Sequence, residues 1–242
     1  MMNDPIYFIS DAHLGAGSFD VEQEKTRRLL AFLRELRGAT PLLYIVGDLF
    51  DFWFEYRSVI LRQHYRVLYE LTRLIEQGTR VVYMSGNHDF WLGSFLREQV
   101  GVEAVYGALE TEHHGKRLFI CHGDGLVAKD QGYRLMRRIL HNPVNIWLYQ
   151  LLHPDLGVAL ARVVSHLSRN HTLPEGWHPD REYRELALAK LHEGFDGVIF
   201  GHSHCPDYQT VDGKVYINLG DWVTHFSYGL LHEGRLSLEW AK

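Results

Sequence analysis

Short apolar runs rich in Val, Ile, Phe and Tyr punctuate the chain. They are IYFIS at 6–10, LLYIV at 42–46, RVVYMS at 80–85, RLFIC at 117–121, GVIF at 197–200 and KVYIN at 214–218. Their length and composition predict buried strands. Between the first three lie stretches with helical spacing. Over 21–37, Leu29, Phe32, Leu33 and Leu36 share one face. Over 57–77, Ile60, Val67, Leu68, Leu71, Leu74 and Ile75 do the same, and Gly78 stands where such a helix would stop. Strands alternating with amphipathic helices predict a layered α/β domain. The final stretch, SYGLLHEGRLSLEW at 227–240, reads instead as two strands joined by a turn at HEGR.

The rhythm breaks between 125 and 192. No strand pattern lies there, and YRLMRRIL, NPVNIWLYQLL and LGVALARVVSHLS read as helices with Pro143, Pro154 and Pro174 near their ends. This segment is expected to be a helical cap inserted into one domain that spans 1–242. From Lys129 to Arg169 it is apolar and basic: Lys129, Arg134, Arg137, Arg138, Arg162 and Arg169 stand against only Asp130 and Asp155.

Composition narrows the picture. The 242 residues, 46% of them hydrophobic, suffice for one large core. No apolar run is long enough to cross a membrane, and the N-terminus lacks the form of a secretory signal. The net charge of -5 argues against a general nucleic-acid binder. Cys121 and Cys205 are expected to be reduced thiols, as in a cytoplasmic protein. The 16 histidines direct attention to metal ligands.

Candidate ligands stand directly after the strands. DAH comes after the first, GDLFD after the second, GNHD after the third, HGD after the fourth and GHSH after the fifth. Taken singly, each is ordinary turn or cap chemistry. Taken in order, they place polar groups at five successive strand ends, the edge where open α/β sheets build sites. Asp11, His13, Asp48, Asn87, His122, His202 and His204 offer oxygen and nitrogen donors without a thiolate. That mix suits Mn²⁺, Fe²⁺, Co²⁺ or Zn²⁺ in an open site. The set is too large for one ion and fits two that share a carboxylate.

The ordered set DAH, GDLFD, GNHD, HGD and GHSH resembles that of the calcineurin-like metallophosphoesterases. The resemblance implies a four-layer α/β/β/α sandwich and in-line hydrolysis at phosphorus. It also implies two ions, Mn²⁺ being expected. Asp11, His13 and His204 would hold one, Asn87, His122 and His202 the other, and Asp48 both. SDAHLG, GDLFDFWFEY, HGDGL with KD, the helical insertion and LGDW at 219–222 are most similar to the UDP-2,3-diacylglucosamine diphosphatase family. That family converts UDP-2,3-diacylglucosamine to UMP and 2,3-diacylglucosamine 1-phosphate in lipid A biosynthesis. A lipid-linked UDP-sugar is thus the expected partner, reached by peripheral contact with the cytoplasmic face of the inner membrane. No obligate protein partner is evident.

In that reading Asp48, Asn87 and His88 are catalytic, and His88, Asp130 and Arg169 touch substrate. His88 is a departure, since the best-known branch has Arg there; an imidazole at that place can supply a proton or bind phosphoryl oxygens. Ile146, Trp147, Leu151, Leu152, Leu156, Leu160, Val163, Val164 and Leu167 could wall an acyl pocket or pack the cap onto the core. The aromatic run at 50–56 has the same two readings, with packing expected for most of it. Two alternatives stand beside the lipid reading. One is a phosphodiesterase or phosphatase of soluble esters, against which the apolar cap argues. The other is a metal-stabilised binding protein, against which the full ligand set argues.

Overall fold

The computed structural model describes residues 4–126, 139–140, 142–169 and 179–242. Among the described residues there are two sheets. The first has the order β11-β10-β1-β2-β3-β4, formed by Arg235–Trp240, Ser227–His232, Ile6–Ile9, Leu42–Val46, Arg80–Met84 and Glu103–Val105. The second has the order β5-β6-β7-β9-β8, formed by Leu109–His113, Lys116–Cys121, Gly197–Phe200, Lys214–Asn218 and Asp207–Val211.

Alternation along the strands dictates the layers. Ile6 and Phe8 of β1, Leu42, Tyr44 and Val46 of β2, and Val82 and Met84 of β3 meet Leu118 and Ile120 of β6, Ile199 of β7 and Ile217 of β9 in a core between the sheets. The intervening residues face outward. Ile9, Leu43, Ile45, Val81 and Tyr83 pack against Leu29, Phe32 and Leu33 of α1 (Phe19–Glu35) and Val67, Leu71 and Leu74 of α2 (Tyr65–Glu76). On the far side Phe119, Val198, Phe200 and Tyr216 pack against the last helix. The chain is thus a sandwich of helices, two sheets and a helix, the α/β/β/α order expected.

Among the described residues, the helices α3 (Pro143–Gln150) and α4 (Pro154–Arg169) lie between β6 and the segment before the last helix. Asn142 caps α3 through its side chain, which accepts from Val144 N at 2.9 Å, with Pro143 in the first turn. No residue of α3 is buried. The segment 125–192 is not uniform, however. Its last helix, α5 (Pro179–His192), buries Tyr183, Ala187 and Leu191 against the second sheet and belongs to the sandwich.

The expected helix at 57–77 is shorter than its apolar spacing suggests. It begins with a 3₁₀ turn at Arg62–His64 and becomes α-helical at Tyr65. The adjacent β-branched residues Val59 and Ile60 favour the extended chain before it. Strands β4, β5 and β8 lack an apolar run. β5 and β8 are sheet edges on which half-buried and exposed residues alternate, as in LETEH and DYQTV. Polar side chains blunt such edges.

Register now fixes what lies at the ends. β1 through β4 are parallel, with Ile9 beside Ile45 and Ile45 beside Tyr83. β6, β7 and β9 are parallel too, with Cys121 beside Phe200 and Phe200 beside Asn218. The loops after these strands therefore leave each sheet at one level.

Candidate metal centre and active site

The side chains expected from sequence converge in two groups. Asp11, His13 and His204 form one, and Asp48, His122 and His202 the other, with ligand atoms inside each group within 4.8 Å of one another. Asn87 joins the second through Oδ1, 3.2 Å from His122 Nε2. Asp48 touches both. Its Oδ2 lies 3.3 Å from His122 Nε2 and 3.6 Å from His13 Nε2.

The backbone is bent hard to achieve this. Asp11, His13, Asp48, His202 and His204 all have φ between 41° and 67°. A left-handed conformation costs a non-glycine residue about 1–2 kcal/mol. Five such residues at one edge represent stored strain, which is retained where surrounding structure fixes it and which clusters at functional sites. The bend at Asp48 is fixed by Asp89, a fully buried carboxylate of GNHD. It accepts from Asp48 N (3.1 Å), Leu49 N (2.8 Å) and Gly86 N (2.9 Å), and from the Tyr83 hydroxyl. Lys25, also buried, donates to the His13 carbonyl at 2.7 Å.

Hydrogen bonds leave the metal-facing atoms open. Asp11 Oδ2 accepts from Ser10 Oγ (2.5 Å) and His202 N (2.8 Å), whereas its Oδ1 is buried and has no hydrogen-bond partner. That oxygen lies 3.5 Å from both His13 Nε2 and His204 Nε2. The two imidazole nitrogens are themselves 3.1 Å apart, with their rings stacked. Two ligands at right angles around an ion with bonds of about 2.1 Å lie about 3 Å apart. An orphaned carboxylate oxygen and two facing nitrogens at that spacing fit a divalent cation. In the second group His122 Nδ1 donates to the Val46 carbonyl at 2.9 Å, which leaves Nε2 for coordination.

The protonation states agree. Burial pushes Asp11 up, but His122, His13 and His204 outweigh it and hold the carboxyl down at about 2. Burial likewise opposes ionisation of Asp48, yet His122 and His88 hold it well below the ordinary range. Burial lowers His202 to about 4 and also lowers His204 and His88. Asp11 and Asp48 are therefore anionic, and His202 and His204 neutral, the forms that bind metal. His122 moves upward: burial opposes its charge, but Asp48 and Asp11 draw a proton onto it. A cation between these carboxylates would supply that charge instead.

His88 stands at the rim. Its Nδ1 donates to the Asp51 carbonyl at 2.9 Å and lies 3.4 Å from the Asp51 carboxylate. Asp51, His13 and His88 form a third cluster of potential ligands. Asp51 and Asp89 are not among the residues expected from sequence, although both stand in the motifs GDLFD and GNHD. Asp221 of LGDW is likewise missed. It lies behind His204, with Oδ2 3.8 Å from His204 Nδ1.

Beside His88 opens an apolar cavity of about 330 Å³. Asp51, Asn87 and His88 form its polar end, and Phe52, Phe54, Trp91, Ile146, Tyr149 and Leu160 line it. The aromatic run divides accordingly. Phe50 and Trp53 are core, while Phe52 and Phe54 face the cavity. Of the expected acyl-wall residues, Ile146 and Leu160 line it. Trp147, Leu151, Leu156 and Val163 are exposed. Asp130 and the side chains of Val164, Leu167 and Arg169 lie outside the described residues.

Comparison with known proteins agrees with this geometry. The sequence profile of the calcineurin-like phosphoesterase family matches residues 4–206. The UDP-2,3-diacylglucosamine hydrolase of Porphyromonas gingivalis is 33% identical over 98% of each chain. That of Pseudomonas paraeruginosa is 32% identical over 90% of each. Among solved structures, an archaeal phosphodiesterase aligns with a TM-score of 0.50 and 16% identity, covering 97% of this chain and 98% of its own. That last likeness speaks to the fold alone.

Proposed function

The chain belongs to the calcineurin-like phosphoesterase family, and from that premise we propose that it hydrolyses the pyrophosphate of UDP-2,3-diacylglucosamine, giving UMP and 2,3-diacylglucosamine 1-phosphate. One observation carries the substrate reading. The apolar cavity of about 330 Å³ ends on Asn87 and His88, beside the ligand cluster. An acylated sugar can place its chains among Phe52, Phe54, Ile146 and Leu160 while its pyrophosphate reaches the strand ends. A soluble phosphate ester has no use for such a wall.

Asp11, His13 and His204 would hold one divalent ion, Asn87, His122 and His202 a second, and Asp48 both; Mn²⁺ suits this oxygen–nitrogen set. Bound there, the pair would neutralise charge on the attacking and departing oxygens of an in-line displacement. The chain's own residues do the rest. Asp48 orients the site with one oxygen, while the other accepts from His88 N at 2.9 Å and so fixes the rim loop. His88 donates through Nδ1 to the Asp51 carbonyl, which leaves the Nε2 lone pair to take up a proton and, once protonated, to donate to a phosphoryl oxygen. A phosphate leaving group asks little of a general acid, so positioning is its larger part. Asp130 and Arg169 are further candidates for contact with substrate.

Access from a membrane surface fits the helices beside the cavity. Val144, Trp147, Leu148 and Leu151 of α3 and its C-terminal end, and Leu156 and Val163 of α4, are exposed. Among the described residues no helix is long and apolar enough to cross a membrane. These exposed side chains can instead enter the acyl boundary of the cytoplasmic leaflet from one side.

The test is the comparison of UDP-2,3-diacylglucosamine with UDP-N-acetylglucosamine. A cavity that binds acyl chains predicts a kcat/KM at least about a hundredfold higher for the acylated substrate. Equal values would remove the cavity from the mechanism.

A further inference from the structure

A second cavity meets the first at His88 and shares no other lining residue with it. It has a volume of about 350 Å³ and is lined by His13, His88, His204 and Asp221 on the metal side. Away from the metal side it is bounded by Ala16, Gly17 and Val21 on one wall and Val223 and Thr224 on the other. We infer that this crevice is the nucleoside subsite, holding the uridine end of the substrate while the acyl chains occupy the cavity across His88. The inference rests on the proposed function and adds to it which residues read the nucleotide.

The walls are built for rigidity. Glu22 accepts from Gly15 N and Gly17 N, both at 2.7 Å, and pairs with Lys25 Nζ at 2.7 Å, so the first wall is pinned to helix α1. A Cβ on Gly17 would sit 2.9 Å from Val21 Cγ1, so a side chain there would make Val21 shift. On the second wall a single oxygen of Asp221 accepts from Val223 N (2.9 Å), Thr224 N (2.6 Å) and His225 N (3.0 Å). The other oxygen contacts His225 Nδ1 at 3.1 Å. Both walls are held by carboxylates, and Asp221 also lies 3.8 Å from His204 Nδ1.

Chemistry selects the occupant. The faces offered by Ala16, Val21 and Val223 are apolar, and Thr224 adds a hydroxyl at the mouth. A flat base wants apolar surfaces on its faces and a few polar groups at its edge. A sugar bearing many hydroxyls would need many polar side chains. A further phosphate would need a cation, and Lys25 is committed to Glu22 and to the carbonyls of Ala12 and His13. The volume lies in the ordinary range for small-molecule sites, about 300–1,000 Å³.

Calorimetric titration of the Mn²⁺-loaded protein with UMP and with ribose 5-phosphate tests this. The two probes share a phosphate and a ribose and differ in the base. The wild type should bind UMP about tenfold more tightly, the scale of discrimination in a small apolar pocket. Val21→Trp and Thr224→Trp, on opposite walls and both at exposed positions, should each bring that ratio to about one. Thermal melts establish that both variants are folded. Equal binding of the two probes by the wild type would overturn the inference, as would retention of the ratio in both variants. If the wild type prefers UMP but fails to cleave UDP-2,3-diacylglucosamine, the subsite stands and the lipid reading falls.

Discussion

Gly86→Ala is the sharpest perturbation the site allows. A Cβ at Gly86 would lie 2.1 Å from Asp48 Oδ1, 2.8 Å from its Cγ and 2.7 Å from its backbone nitrogen. Contacts under 3.0 Å essentially never occur at a real Cβ, so the oxygen must retreat by about 0.9 Å. Rotating the side chain does not relieve the contact with the backbone nitrogen, which Asp89 holds in place. The carboxylate expected to serve both ions is therefore displaced as a unit. Overpacking of this kind costs about 1–3 kcal/mol of stability, and a misplacement of about 1 Å costs about a hundredfold in rate. The assay is steady-state release of UMP beside thermal unfolding with and without Mn²⁺. Gly115→Ala is the control: its φ is positive, which strains any added side chain, but no atom lies within 4 Å of its added Cβ. It should lose stability and keep kcat. A folded Gly86→Ala protein with kcat within about a factor of two of wild type would refute the role given to Asp48.

Two further outcomes are expected on the same structural grounds. His64 is buried against Phe50, and burial lowers it to about 3, so it stays neutral in the folded chain while the unfolded chain protonates it near 6.5. Its contribution to stability is whole above pH 6.5 and is lost as pH falls toward 3, by about 2 kcal/mol near pH 5. His64→Phe should flatten denaturant-derived stability over that window, and an unchanged slope would contradict the burial argument. Trp147→Asp and Leu151→Asp, at exposed positions on or next to α3, should reduce sedimentation with anionic vesicles by about tenfold each while detergent-solubilised substrate is cleaved as before. Unaltered sedimentation would place the membrane contact elsewhere.

The site is legible in the sequence because parallel strands translate order along the chain into position along an edge. Each of DAH, GDLFD, GNHD, HGD and GHSH comes after a strand whose neighbours lie in register. The residues after each apolar run therefore suffice to gather Asp11, His13, Asp48, Asn87, His122, His202 and His204. The supports of those residues are not legible. Asp89 and Lys25 act on backbone groups at contacts set by three-dimensional folding, and neither periodicity nor spacing marks such partners. The apolar cavity depends on which face of α3 and α4 turns inward, and apolar residues surround much of both helices. Thus Ile146 reaches the cavity while its neighbour Trp147 faces solvent. The edge strands β5 and β8 escape a reading by hydrophobic pattern because their polar residues answer to solvent, leaving no apolar run to find.

Hydrolysis at this metal centre is tested most directly by the product formed from UDP-2,3-diacylglucosamine. The purified protein would be incubated with Mn²⁺, with a chelator, and as Asp48→Ala with Mn²⁺, and UMP would be measured by mass spectrometry. The expected result is UMP and the acylated sugar phosphate in equal amounts from the Mn²⁺-loaded wild type, and a loss of at least about a thousandfold in the other two. UMP released at the same rate by Asp48→Ala, or after chelation, would contradict hydrolysis at this metal centre. Cleavage of a generic phosphodiester without UMP from the lipid would contradict the substrate.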